Sequence, residues 1–540
     1  MKLLSNRILL VPAVSVALMA AACTSSSPAP GSSSAPQGSP GSIVVDWATG
    51  NTTLDPAAAC NQDDLSLIHN VYATLTQYGT KAGPDSTTEY DPTKIVPAFA
   101  TSWDVADGGK SYTFHLREGA KFADGSVIDA SAVKYSIERV LKIGTCATFY
   151  LQAGSIAPPL IKQVSAPDAK TVVFTLSRPN ADFIAGLATP AASIVNPKVV
   201  EANGGVQQNT INKWMASHVA GSGAYTLESY EPNSKAVLKA NPNYYGQQPA
   251  NKQIEINYTT AASTLLLKAK SGAADVTLGM PLQSVKSISG DGCCRVVANE
   301  APLFAQVALK NTSAPLSNVK LREALTRAVP YNDILTSVAY GYGKLFYGPI
   351  VPNAAGYDAT DSDPIPTDLA KAKSVLAESG VQTPVNLTAI VNATNPGSVQ
   401  LATVIQGVWK QIGVNLTIQQ LAPSDFTPKY TGGDYQVAIN IEGPGVPTAG
   451  YQLTLTSSCG SKFNNAAVCV PGLDTLLNQA RASTDPSSAA SIYAEITKQW
   501  RGQWPRIPLY AAQNVAVLGK SVTNYSYAKF LDFSSWTVSH

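Results

Sequence analysis

Between residues 97 and 141 the spacing of apolar positions changes period. Tyr112, Phe114 and Leu116 alternate with polar neighbours, as in a half-buried strand, and follow Asp107-Gly108-Gly109, a sequence suited to a tight turn. After a second turn at Asp124-Gly125, Asp129 is placed to cap a helix whose Val133, Ile137, Val140 and Leu141 form one stripe. The same change recurs further on. Leu401, Val404, Ile405, Val408 and Ile412 form a helical stripe, Gly413 can end it, and Val414, Leu416 and Ile418 alternate as a strand. Residues 436–450, QVAINIEGPGVPTAG, run a strand pattern into glycines and prolines with one carboxylate, Glu442, at the join. Helix and strand periods thus interleave along the chain, which predicts an α/β fold. The 540 residues correspond to roughly three or four domain-sized units, and no repeat or low-complexity linker divides them after residue 43, so one multi-lobed body is expected.

The first 42 residues follow other rules. Lys2 and Arg7 precede an apolar run over residues 8–22, short of the roughly 20 residues that span a bilayer, and the segment reads as a signal peptide. Ala20 to Ala22 lead into Cys23 in a way that resembles the lipobox of bacterial lipoproteins, whose cysteine is acylated, although Ala20 stands where leucine is usual. The alternative is a plain secreted protein cut after an alanine. Residues 24–42 contain only Ser, Thr, Pro, Gly, Ala and Gln, the composition of a disordered tether. Six further cysteines, Cys60, Cys146, Cys293, Cys294, Cys459 and Cys469, form an even set suited to an oxidising compartment. Cys459 and Cys469 flank a short, turn-rich, polar loop and are expected to pair, closing a loop worth roughly 3 kcal/mol in the entropy model. Cys293 and Cys294 either bridge each other or pair elsewhere.

Composition removes several function classes. With 38 basic against 36 acidic residues and 14% charged residues in all, nothing forms a nucleic-acid-binding face or a polybasic membrane patch. The four histidines are isolated from one another and from the cysteines, so no metal site is expected. Ser222 lacks the spacing of a nucleophile elbow. The Gly-x-Gly runs at Gly341 and Gly443 lack the third glycine of a phosphate loop, and no cofactor is expected.

The block from 97 to 141 resembles the signature of the family 5 extracellular solute-binding proteins, the dipeptide- and oligopeptide-binding components of bacterial ABC importers. Residues 221–246, ending NPNYYG, residues 268–281, KAKSGAADVTLGMP, and residues 311–335 resemble further blocks of that family in family order, with Lys320-Leu321 making the basic spacing irregular. Matching continues through residue 380, and the resemblance covers nearly everything from residue 43 to about 530. It implies a two-lobed periplasmic-binding-protein fold with an additional small lobe, mixed sheets and a hinge-linked ligand cleft. Residues 43–80, 195–296 and 505–540 would form lobe I, residues 81–194 the small lobe and residues 297–504 lobe II.

The same resemblance implies a monomer that captures short peptides, delivers them to a permease with ATPase subunits and is no enzyme. Haem, a metal complex or a sugar is the alternative cargo, and an exported peptidase the enzymatic alternative. Peptide-binding members meet the peptide ammonium with an aspartate four residues before a proline, in a Gly-Trp-x-x-Asp-x-x-x-Pro pattern. Counting back from Pro447 lands on Gly443, and the tryptophan is absent, so the neighbouring Glu442 becomes the substitute anchor. The alternative for Glu442 is a solvent-facing acid or one paired with a lysine. Asn440 and Ile441 belong to the segment whose backbone could pair with an extended ligand. Tyr72 lies in a stretch that resembles the cleft-lining first helix, though it can equally be core, and Asn353 lies near a lobe-crossing segment. Lys344 is one of several cations available to a peptide carboxylate.

Overall fold

In the computed structural model, residues 41–154, 158–359, 363–483 and 485–539 are described. The expected signal peptide, Cys23 and nearly all of the tether lie outside the described residues. The four-element block is found where the pattern places it. In the strand Ser111–Leu116 the buried positions are Tyr112, Phe114 and Leu116, and Asp107, Gly108 and Gly109 all take positive φ in the turn before it. Asp129 caps the helix Ala130–Ile143 by accepting from the Ala132 N–H at 3.0 Å. Gly413, at φ +86°, ends the helix Pro396–Gln411 and opens the strand Val414–Leu421. That helix starts before its apolar stripe, on a side-chain cap from Asn395 with Pro396 in its first turn, where a missing N–H does no harm.

One eleven-stranded sheet organises the molecule. Its order is Val414–Leu421, Val385–Asn392, Val437–Glu442, Cys294–Leu309, Arg506–Gly519, Val276–Leu278, Ser42–Trp47, Gln253–Tyr258, Lys235–Ala240 and Tyr225–Glu231, with Gly343–Leu345 added to Arg506–Gly519. The two long central strands are antiparallel and serve both ends of the sheet. Val297, Ala516 and Leu518 pack into one core with Ile43, Val45 and Ile254, whereas Ala305, Val307, Ile507 and Leu509 pack into a second with Leu387, Val437 and Trp409. These are the two lobes, joined through that strand pair. Its register slips between Glu300 and Leu303, at Ala301-Pro302, and again between Ala305 and Gln306. Such bulges bend a strand, and Pro302 has no N–H to give the ladder.

A separate four-stranded sheet, Ala100–Ala106, Ser111–Leu116, Thr171–Leu176 and Ile161–Asp168, carries the signature block, and its Phe114 and Phe174 are continuous with the first lobe's core. The helix Cys146–Leu151 is tied to the segment just before the helix Gln62–Val71 by a Cys60–Cys146 disulfide. Cys459 and Cys469 are bridged as their spacing predicts. Cys293 and Cys294 stay as thiols with sulfurs 2.7 Å apart.

The second lobe's sheet is apolar on both faces. On one face lie Ala305, Val307, Leu309, Val437 and Ile439; on the other lie Phe304, Ala308, Ala438 and Ala511, covered by Phe426 and Tyr430 of the helix Pro423–Gly432. Since a strand's side chains alternate, Gln306, Asn440 and Glu442 share the second face, and the register sets Glu442 beside Phe304, Asn440 beside Gln306 and Arg506 beside Ala308. A polar island therefore sits inside an apolar layer.

Candidate functional site

That island opens on a cavity of about 180 Å³ lined by Phe304, Tyr430, Glu442, Phe463, Asn465 and Arg506, with Gly443, Pro444, Gln452, Leu455, Thr431 and Thr456 completing the wall. It adjoins the junction of the lobes. Phe463 meets Phe149 of the helix Cys146–Leu151 edge to face, and a methyl group added at Gly445 would overlap the ring of Tyr150. Nearby, Arg481 of the second lobe pairs with Asp182 at 2.9 Å and its carbonyl accepts from the Ala181 N–H at 2.8 Å, so the lobes are fastened together beside the cavity.

Glu442 is half-buried at the end of its strand. The Tyr430 hydroxyl donates to Oε2 at 2.5 Å, the Gln306 amide donates to Oε1, and the Asn440 amide stands 3.5 Å from Oε2. Burial first, and then the Glu442 charge, hold the Tyr430 phenol well above its usual pKa, so it remains a donor. Among the described residues no basic group forms an ion pair with Glu442, so the lysine-paired alternative does not hold here.

Gly443, where relatives of the resembled family would carry aspartate, has no room for a side chain. A Cβ there would run into the Pro302 carbonyl and Leu303. The strand bulge presses the backbone against this position, and the acid stands one residue earlier, on the cavity face.

Arg506 is 4% exposed. Its Nη2 donates to Asn465 Oδ1 at 3.0 Å and its Nη1 to Gln306 Oε1 at 3.4 Å, with no carboxylate in ion-pair range among the described residues. Asn465 Oδ1 also accepts from the Tyr435 hydroxyl at 2.9 Å. Gln306 thus gives its N–H to the acid and its carbonyl oxygen to the guanidinium. An acid and a guanidinium share one cavity with an amide between them.

The remaining sequence candidates are dispersed. Asn440 and Glu442 point to the cavity face, whereas the Ile441 side chain packs on the other side of the sheet. The Val385–Asn392 strand pairs with Val437 and Ala438 alone, so beyond them that edge of the Glu442 strand meets no strand among the described residues. Tyr72 is a buried residue capping the helix Gln62–Val71, its hydroxyl accepting from the Ala220 N–H at 3.2 Å. Asn353 is 8% exposed and ties the lobes at another point, its carbonyl accepting from the Tyr90 hydroxyl at 2.7 Å and its amide donating to Ala301. Lys344 is an exposed residue paired with Glu300 at 2.5 Å and is not among the residues lining the cavity. Gln306, Tyr430 and Arg506 were not anticipated. Gln306 alone left a trace, as a single amide in the apolar run LFAQVAL.

Comparison with known proteins places this geometry in a family. Residues 94–464 match the family model described as bacterial extracellular solute-binding proteins, family 5, middle. The chain is 28% identical to the probable D,D-dipeptide-binding periplasmic protein of Escherichia coli over 91% of this chain and 92% of that protein. It is 26% identical to heme-binding protein A of Haemophilus influenzae, over 81% and 83%. Among solved structures, a periplasmic binding protein of Helicobacter pylori in complex with the peptide STSA superimposes with a TM-score of 0.79 at 22% identity, covering 93% of this chain and 98% of that one. The fold is the two-lobed periplasmic-binding-protein fold.

Proposed function

The chain belongs to the family 5 bacterial extracellular solute-binding proteins, and on that premise we propose that it captures short peptides outside the cytoplasm and delivers them to an ABC-type permease, with no chemistry of its own. The observation that carries this reading is the state of Glu442. Both carboxylate oxygens accept from neutral donors, and its charge meets no cation from the protein among the described residues. A peptide ammonium supplies the missing charge. The names of relatives and the peptide bound to a neighbouring fold support the same cargo.

In this reading the free edge beyond Ala438 is available to an extended peptide backbone, strand fashion, while the cavity takes its first side chain. Peptide contacts from both lobes favour the closed arrangement in proportion to their differential affinity. The protein works as a monomer, and acylated Cys23, exposed by removal of residues 1–22, holds it to the membrane by its tether.

The test is to incubate the purified protein with a pool of short peptides and identify the bound fraction by mass spectrometry. Intact peptides are expected. Cleaved ones would overturn the absence of chemistry, and a non-peptide ligand in their place would overturn the cargo. Glu442→Gln keeps the shape and removes the charge, and is expected to weaken peptide binding by about 1.5–3 kcal/mol in calorimetry.

A further inference from the structure

Four arginines among the described residues are buried: Arg139, Arg322, Arg481 and Arg506, at 2, 4, 5 and 4% exposure. Three are neutralised or fully coordinated within the protein. Arg139 is gripped by Asp55, Arg481 pairs with Asp182, and Arg322 donates to the Leu316 carbonyl and to those of Gln503 and Trp504 at the C-terminal end of the helix Pro486–Gln503, whose dipole favours a cation there. Arg506 has two side-chain amide oxygens, one of them at 3.4 Å, and it alone of the four lines the cavity that holds Glu442. A guanidinium cannot shed its proton to escape burial, so its charge persists at the cavity wall.

We propose that Arg506 makes this cavity select peptides whose first residue carries an acidic side chain. The inference rests on the reading that the cavity receives the amino-terminal residue. The ammonium faces Glu442, and the side-chain carboxylate of the same residue faces Arg506. Gln306 spans the gap between the two protein charges with one primary amide, a separation matched by the few bonds between the ammonium and side-chain carboxylate of an aspartyl or glutamyl residue. A cavity of about 180 Å³ holds one such side chain, with Phe304, Tyr430 and Phe463 enclosing its methylenes. Charge balance favours the match, since ammonium, carboxylate, Glu442 and Arg506 sum to zero. A neutral first residue leaves Arg506 without an anion, and a basic one sets like charges together.

The test is calorimetric titration of the full protein with Glu-Ala-Ala, Gln-Ala-Ala and Lys-Ala-Ala. The unaltered protein is expected to bind Glu-Ala-Ala at least tenfold more tightly than Gln-Ala-Ala, with Lys-Ala-Ala weakest. Arg506→Gln should bring the first two to within about twofold of each other. Equal affinities in the unaltered protein, or an unchanged ratio in Arg506→Gln, would overturn the inference and leave peptide capture standing. If Arg506→Gln does not fold, the ratios measured on the unaltered protein decide alone. Binding of none of the peptides would overturn both the inference and the capture reading it rests on.

Discussion

Asp55 with Arg139 and Glu442 with Arg506 each set one carboxylate and one guanidinium below the surface, and they use them differently. At Asp55 and Arg139 the charges meet: Nη1 and Nη2 reach the two carboxylate oxygens at 2.8 and 2.6 Å, and Asp55 also accepts from the Ala57 N–H at 2.9 Å. At Glu442 and Arg506 an amide stands between acid and base, and each retains capacity for a group from outside. The Nε of both arginines lacks a partner, so the difference lies in the acid alone. A bidentate pair satisfies itself and becomes scaffold. A pair held apart is, in the reading proposed above, a receptor for a molecule carrying both charges.

The sharpest way to break that contrast is to remove a base from the self-satisfied pair. Arg139→Met leaves Asp55 buried with no cation, a change expected to destabilise by about 3–5 kcal/mol in urea unfolding. Peptide affinity of the folded fraction should hold. A small loss would mean that the Asp55 corner, too, tolerates separated charges, and the contrast would fall.

Lys529 shows what a buried cation does when it has neither an acid nor a cavity. It is 2% exposed, donates to Gln62 Oε1 at 3.2 Å and lies 4.8 Å over the Phe530 ring. Burial pushes its pKa down to about 7. Between about pH 7 and its unfolded value near 10.4, the unfolded chain holds a proton that the folded chain does not, so stability from this group rises with pH, by up to ~1.4 kcal/mol per unit. Below that window both states are protonated and the unfavourable contribution is constant. His69, whose ring faces Phe530, is lowered by burial and titrates beneath the window. Lys529→Met is expected to stabilise the protein at pH 7 and to flatten the rise toward pH 9 in thermal unfolding. An unchanged slope would show that Lys529 keeps its proton when folded. Arg506 has no such exit, which is why its charge calls for a ligand.

The fold was legible because its signals are local. Asp129, Gly413 and the alternation of Tyr112, Phe114 and Leu116 each act within a few residues, and the Cys459–Cys469 bridge spans 10. Its counterpart Cys60–Cys146 closes 86 and left no local trace. Glu442 could be found as a lone acid in a run of glycine and proline. Gln306 and Arg506 could not be joined to it: Gln306 lies 136 residues away in sequence, and Arg506 lies 200 from Gln306. Register along the central strands decides which polar side chains share a face, and register is set by the whole sheet. Nor does the sequence reveal that Gly443 is pressed against Pro302, a contact that leaves no room for a side chain at 443.

The smallest expected effect is the most discriminating, because it concerns stability at a position assigned to binding. Arg506→Met removes two hydrogen bonds and strands one acceptor at most. Asn465 Oδ1 still accepts from Tyr435, and the Gln306 amide still donates to Glu442, while the Gln306 oxygen loses its 3.4 Å contact. Methionine is long and flexible enough to lie along Phe304 and Tyr430, and replacing a charge that has no acid partner removes a desolvation penalty. These contributions oppose one another, so unfolding without ligand should change by less than about 1 kcal/mol, against several for Arg139→Met. In excess Glu-Ala-Ala the variant should gain less stability than the unaltered protein, because bound ligand stabilises in proportion to the logarithm of its concentration over its dissociation constant. A ligand-free loss as large as that of Arg139→Met would make Arg506 scaffold, and the two regions would then be variations of one device.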